Sequence, residues 1–349
     1  MDPDKSFKEL LLTIYSSDSD ARILAVRSLG KSKDTRAVDV LLSAMEDDDA
    51  NIRNQAGLSL SELGEAAQSR LIEILLDPKQ KASVRGTATW ALANLSTPDS
   101  IQALMDVVND TNEDVRFQAI DRLGVPGLTL AVDPLIRALQ DKSSEIRWVA
   151  AGALGRIGDS QAVKPLLIAL NDPEAVVRMW ASISLGSYLH SPLALEPLIL
   201  LLSDSDIEVR EWAAHGLGEL GDKEAINPLV ESLNDPHSLV RAAAAKSLGE
   251  LKGRIAIPAL LTILSDADWR VKFWAAWALA MLGNSSGVNQ LLEALDASKA
   301  WMPYRAAEAL DILGDTRAIK ALKQLHNRLK PGRVRNRVKR AIANLEKLI

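Results

Sequence analysis

Four histidines, His190, His215, His237 and His326, are the residues of this sequence best suited to proton transfer or metal binding. None precedes a Glu and no two lie three or four residues apart, so no helix face offers a paired set of imidazole ligands. There is no cysteine, which removes disulfides, thiolate zinc sites, iron–sulfur clusters and a thiol nucleophile. No Ser-His-Asp order or phosphate loop stands in a suitable context, because the glycines recur as helix stops. Carboxylates are abundant, but Asp47-Asp48-Asp49 and Asp204-Ser205-Asp206 read as helix caps and solvated turns. His237, after Asp235-Pro236, reads as a turn residue. Metal and catalytic centres are therefore not expected, and the sequence argues against an enzyme.

The elements that carry these residues repeat. An arginine recurs at 22, 53, 85, 116, 147, 178, 210 and 241, with Lys272, Pro303 and Arg335 in the same register, at spacings of 31 or 32. Three residues on stands Ala in ten repeats, from Ala25 to Ala306, and seven on stands Leu, from Leu29 to Leu310. Val338 and Ile342 replace them in the eleventh. A period of this length marks a stack of helical hairpins. In the second half of each unit the Val or Ile before the arginine, the Ala and the Leu share one helix face, and the Ala admits a close neighbour. The first half opens with Asp or Ser and holds a recurrent proline, at 134, 165, 197, 228 and 258, expected to bend the first helix near its start. The prediction is all-α, eleven hairpins and twenty-two helices. The arginine column is expected to bond the carboxylates and carbonyls of neighbouring turns as a ladder.

Taking the arginine position as zero, positions one and five further on point away from the core on a helix of 100° per residue. They hold Phe117, Trp148, Phe273 and Tyr304, and Trp90, His215 and Trp277. Position two, at the edge of the buried face, holds Trp180, Trp212 and Trp274. Nine of the fourteen aromatics thus fall in three columns of one helix type. The edge tryptophans suit packing between adjacent repeats. The outward residues, His215 among them, are expected to bind a ligand or partner, since contiguous exposed aromatics mark interaction surfaces. Asp121, Glu211, Lys246, Arg305 and Glu308 flank them and are suited to orienting a partner.

The unit, Asp-x-x-Ala-Val-x-Pro-Leu-x-x-Ala-Leu, an Asp turn, then Val-Arg-x-x-Ala-Ala-x-Ala-Leu-Gly, resembles the HEAT-like repeat of the phycobilisome-lyase type. The match runs from about residue 3 to about 345, with its best copies over 127 to 251. The resemblance implies a single ARM-like α-solenoid over 1–349 with the second helices on the concave side. It specifies fold and leaves function open. The His-Glu pairs by which HEAT-repeat deoxyhypusine hydroxylases hold two irons are missing, which excludes that enzyme. At 124–127, Pro126 should end its helix early, either as a local loop variant or as a bend between the parts on either side.

Residues 320 to 349 hold ten Lys and Arg against Glu346 alone, which leaves the preceding body near -14 although the whole chain is -5. The acidic body repels phosphate and argues against a nucleic-acid groove and a HEAT-like DNA glycosylase. The basic stretch, with Arg333, Arg335, Arg337, Lys339 and Arg340, reads as a capping repeat over 315–349, with an acidic partner as the alternative. Met1-Asp2-Pro3-Asp4-Lys5 starts acidic and leads into no apolar signal region, and no apolar run nears the roughly 20 residues of a membrane span, so a cytoplasmic location is expected. The sequence supports a non-catalytic scaffold, without a cofactor, that holds a protein segment in a concave aromatic groove. The second reading is a bilin-handling protein of the phycobilin lyase or phycobilisome-disassembly kind, in which the groove takes a tetrapyrrole and His215 or a carboxylate manages its protons.

Overall fold

The computed structural model describes residues 3–349; Met1 and Asp2, at the head of the N-terminal stretch read above, lie outside the described residues. The described residues form an all-α solenoid of twenty-two α-helices without a strand, arranged as eleven successive hairpins. The alanine and leucine columns are buried throughout: Ala25, Ala56, Ala213 and Ala306, like Leu29, Leu60, Leu217 and Leu310, expose almost nothing to solvent. Each such leucine contributes about 2 kcal/mol of hydrophobic burial, while the alanine lets adjacent second helices approach. In the last repeat Val338 takes the buried place.

Turn chemistry sets where the second helices start. The side chains of Asp18, Asp49, Asn112, Asp206 and Asp268 accept hydrogen bonds from the first backbone N–H groups of the helices that follow. Gly158 and Gly221 end two of these helices in the left-handed region, at φ 80° and 74°. The first helices differ from expectation in detail. The recurrent proline falls in the first turn of a short α-helix, as Pro134 does in Val132–Ala138, and a 3-10 turn such as Thr129–Ala131 leads into it. A first-turn proline forfeits no helical hydrogen bond, so the helix starts there and needs no bend.

Two compact units, Met1–Pro165 and Leu166–Ile349, divide the chain. In the first, the helix Glu113–Leu123 ends as Pro126 requires, and the Gly127 N–H donates to the Ile157 carbonyl at 3.0 Å. In the second, the helix Ala175–Ile183 runs into a π-turn at Ser184–Tyr188, where the Leu189 N–H donates to the Ser184 carbonyl. That extra residue accompanies the 32-residue spacing from Arg178 to Arg210.

The arginine ladder forms in both units. In the first, Arg22 pairs with Asp47 at 3.1 Å, Arg85 with Asp110, and Arg116 with Asp141 at 3.0 Å. In the second, Arg178, Arg210 and Arg241 pair with Asp204, Asp235 and Asp266 at 2.7 to 2.8 Å. A second edge of the guanidinium donates to carbonyls of the same repeat's own turn, as Arg210 Nη1 does to Asp204 O at 2.9 Å. Each rung thus ties one turn to the next, about 25 residues on.

Candidate functional site

The aromatic columns divide between the two units. In the first, Phe117 meets Trp148 edge to face at 5.4 Å, and the Trp148 indole N–H donates to Glu145 at 2.7 Å. Trp90 lies half-buried above Gly57, where a methyl group would stand 3.4 Å from its ring. In the second, Trp180 and Trp212 are half-buried at the edge positions, and Trp212 lies against His215 at 5.5 Å. Burial and the nearby Lys246 charge pull the His215 imidazole down to about 4, so it is neutral at physiological pH.

The largest assembly lies on the second helices of repeats nine and ten, Trp269–Met281 and Trp301–Leu313. Trp274 stacks on Trp301 with ring centroids 5.6 Å apart and planes 10° from parallel. Phe273 meets Trp301 edge-on at 5.3 Å, Trp277 meets Trp274 at 5.5 Å, and Trp269 packs beside Trp301 at 6.4 Å. Cations ring the group: Lys299 and Arg270 over Trp269 at 5.2 and 5.9 Å, Lys246 over Trp274 at 6.0 Å, and Arg333 over Tyr304 at 5.0 Å.

Two of the outward residues prove to be interior. Phe273 is 3% and Trp277 5% exposed. A projection of one helix about its own core leaves out its neighbours. Each second helix is flanked by the second helices of the adjacent repeats, so Trp301 closes over Phe273. On the other side Gly249 leaves room for Trp277, whose ring a methyl group there would meet at 2.8 Å. Trp90, Phe117, Trp148, Trp180, Trp212, His215, Trp274 and Tyr304 remain half-buried. Conversely, Trp269 and Trp301, each 40% exposed, stand outside the three columns and were not anticipated. Their signal in the sequence was position: both are the first residues of second helices in the two repeats whose register residue is not arginine.

That substitution shapes the surface. Lys272 replaces the ladder arginine, and Ala297 stands 25 residues on where other repeats place the aspartate. A pocket of about 410 Å³ opens between them, lined by Trp269, Phe273, Gln290 and Met302 as well. The Gln290 side-chain oxygen is buried there without a hydrogen-bond partner. A second pocket of about 480 Å³ is walled by Trp301, Tyr304, Arg305 and Arg333. Arg305 is held by Glu308 at 2.8 Å. Among the described residues no group of three or more His, Asp or Glu is placed to hold a metal ion, and no helix is long and apolar enough to cross a membrane.

The family model described as HEAT repeats matches residues 7–82, 69–133, 110–186, 195–280 and 257–343. Among solved structures, yeast importin-β is similar at TM-score 0.67 and 16% identity, over 98% of this chain and 57% of that one. The Kap95p structure with RanGDP gives TM-score 0.63 at 15% identity, over 98% and 57%. The CpcE–CpcF complex of phycocyanin lyase from Nostoc sp. PCC7120 gives TM-score 0.47 at 23% identity, over 70% of this chain and 94% of that one. No curated protein matches the chain in sequence.

Proposed function

The chain belongs to the HEAT-repeat family, and from the surface its second helices carry we propose that it is a non-catalytic scaffold that holds a protein segment along that face. The observation that carries this reading is the aromatic group of repeats nine and ten. Trp269 and Trp301 stay 40% exposed beside two pockets, although the buried Phe273 and Trp277 already fill the space between the helices. Aromatic surface kept partly in water and ringed by cations is the composition of an interaction hot spot. Solenoids of this architecture take protein partners, as Kap95p does RanGDP. The basic last repeat adds an attraction for acidic segments, because Arg333 and Arg340 wall a further pocket of about 510 Å³ beside Tyr304.

The test is retention of a partner from the native source on immobilised protein, compared with the Trp269→Ala, Trp301→Ala double variant. The scaffold reading expects a protein held by the parent and lost from the double variant, with the two melting within a few degrees of each other. Equal retention by both, or nothing held by either, overturns it.

A further inference from the structure

We propose that a second site, a pocket of about 490 Å³ on the second helices of repeats two to four, binds a side-chain carboxylate of an acidic peptide by completing a rung that the arginine ladder leaves open. The three helices are Ala50–Glu62, Ala82–Leu95 and Glu113–Leu123, all within the first unit. Arg53 and Arg122 line the pocket with Ser83, Gln118 and Trp90, and no carboxylate does.

The ladder itself says what Arg53 is built to hold. In its neighbours the guanidinium Nε or Nη2 edge grips an aspartate of the next turn: Arg22 donates to both oxygens of Asp47, and Arg116 pairs with Asp141 at 3.0 Å. Arg53 keeps the other half of the pattern, donating from Nη1 to the Asp47 and Asp48 carbonyls at 2.8 and 2.9 Å. Among the described residues its Nε and Nη2 donate to nothing, and no carboxylate lies within salt-bridge distance of it. The reason is in the sequence. Asp47, Asp110, Asp141, Asp204 and Asp235 each precede a ladder arginine by six residues, whereas Asp77 precedes Arg85 by eight. Asp77 accepts the Lys79 N–H at 2.9 Å as the rung aspartates accept theirs, but the longer turn Asp77-Pro78-Lys79-Gln80-Lys81 places it 24 residues after Arg53 instead of 25 or 26, and it forms no pair with Arg53.

The fixed fork of a guanidinium matches a planar carboxylate with two parallel bonds, and every formed rung of this column uses a carboxylate. That favours an Asp or Glu side chain over a tetrahedral anion. Arg122, exposed at the opposite wall and only loosely paired with Asp121 at 4.0 Å, supplies a second charge, and the half-buried Trp90 lines the same pocket. This proposal rests on the reading that the second-helix face takes a protein segment, and it names the chemistry of part of that segment.

The experiment uses the full chain carrying 5-fluorotryptophan, with the Trp90 fluorine resonance assigned from Trp90→Phe. Capped triglutamate, capped triglutamine and inorganic phosphate are titrated in turn at one fixed ionic strength. A saturable shift of the Trp90 resonance is expected with triglutamate and none with triglutamine. Arg122→Gln, exposed and outside the ladder, should weaken triglutamate about tenfold with unchanged melting. Ser83→Glu, which supplies an internal carboxylate, should abolish the shift. Absence of a saturable triglutamate shift, phosphate binding as tight as triglutamate, or binding unaffected by both variants overturns the proposal. Such a failure leaves the site at Trp269 and Trp301 untouched, since its partner retention is read separately.

Discussion

At the scale of single residues the tryptophans separate into two kinds that their spacing alone does not distinguish. Phe273 and Trp277 sit in the interior between repeats, so truncation to Ala should cost about 3 to 5 kcal/mol and be seen as a large fall in urea midpoint. Trp269→Ala should cost about 1 kcal/mol or less, and Trp301→Ala, which uncovers part of Phe273 and loses the stack on Trp274, about 1 to 2 kcal/mol; equal losses for all four would remove the distinction. The columns of Ala, Leu and Arg were legible because each residue's environment repeats with the sequence. The burial of Phe273 was not, because what covers it is Trp301 of the next repeat, a residue whose counterpart in other repeats is not aromatic. His215 is a further residue-scale case. Its folded value of about 4 lies below the ordinary 6.5, so the unfolded chain binds the proton first as pH falls. Its contribution is complete above about pH 6.5 and drains away between there and about 4. Lowering the pH from 7 to 5 should cost the parent about 2 kcal/mol that His215→Asn does not lose, measured by urea unfolding of both at each pH.

At the scale of elements, hairpin number, helix type and cap chemistry followed from periodicity and from Asp and Gly placement. What stayed hidden was the backbone's way of absorbing an odd residue. The spacing of 32 between Arg178 and Arg210 shows that one residue is extra, and the structure takes it up as a π-turn at Ser184–Tyr188. Several backbone arrangements accommodate one more residue, and the choice depends on the neighbour. Here Gly186 lies against Gly216 of the following repeat so closely that a methyl group on Gly186 would stand 2.5 Å from the Gly216 Cα. That atom is backbone and cannot step aside as a side-chain tip can. Gly186→Ala should therefore destabilise by about 1 to 3 kcal/mol despite the better helix propensity of Ala. A variant at least as stable as the parent in thermal unfolding would show that the two helices are free to separate there.

At the scale of the whole molecule, stability in a repeat stack is a sum of units and of the interfaces between nearest neighbours. The arginine ladder is a visible part of those interfaces. Burial alone would raise the carboxyls of Asp204 and Asp235, but the hydrogen bonds from Arg178 and Arg210 and from the turn N–H groups outweigh it and hold both below the usual carboxylate range. At Asp266 the Arg241 hydrogen bond is itself the largest influence, in the same direction. Because the folded values are depressed, the rungs contribute fully above the unfolded carboxylate value of about 3.9 and lose that contribution as pH falls through the folded values. Asp235→Asn keeps an acceptor for the His237 N–H, which Asp235 now binds at 2.8 Å, while leaving the nearly buried Arg210 guanidinium without its counter-charge. The cost at pH 7 should be about 2 kcal/mol, below that of a fully buried pair, and should shrink as the pH drops below the carboxylate range and the parent's own rung is protonated. Since Arg210 and Asp235 join repeats seven and eight, hydrogen exchange should quicken in the helices Ile207–Leu220 and Ser238–Glu250 and stay at parent rates in Ala50–Glu62. Quickening of equal size in Ala50–Glu62 would mean that the stack unfolds as one cooperative body, and a ladder of local rungs would then be the wrong account of its stability.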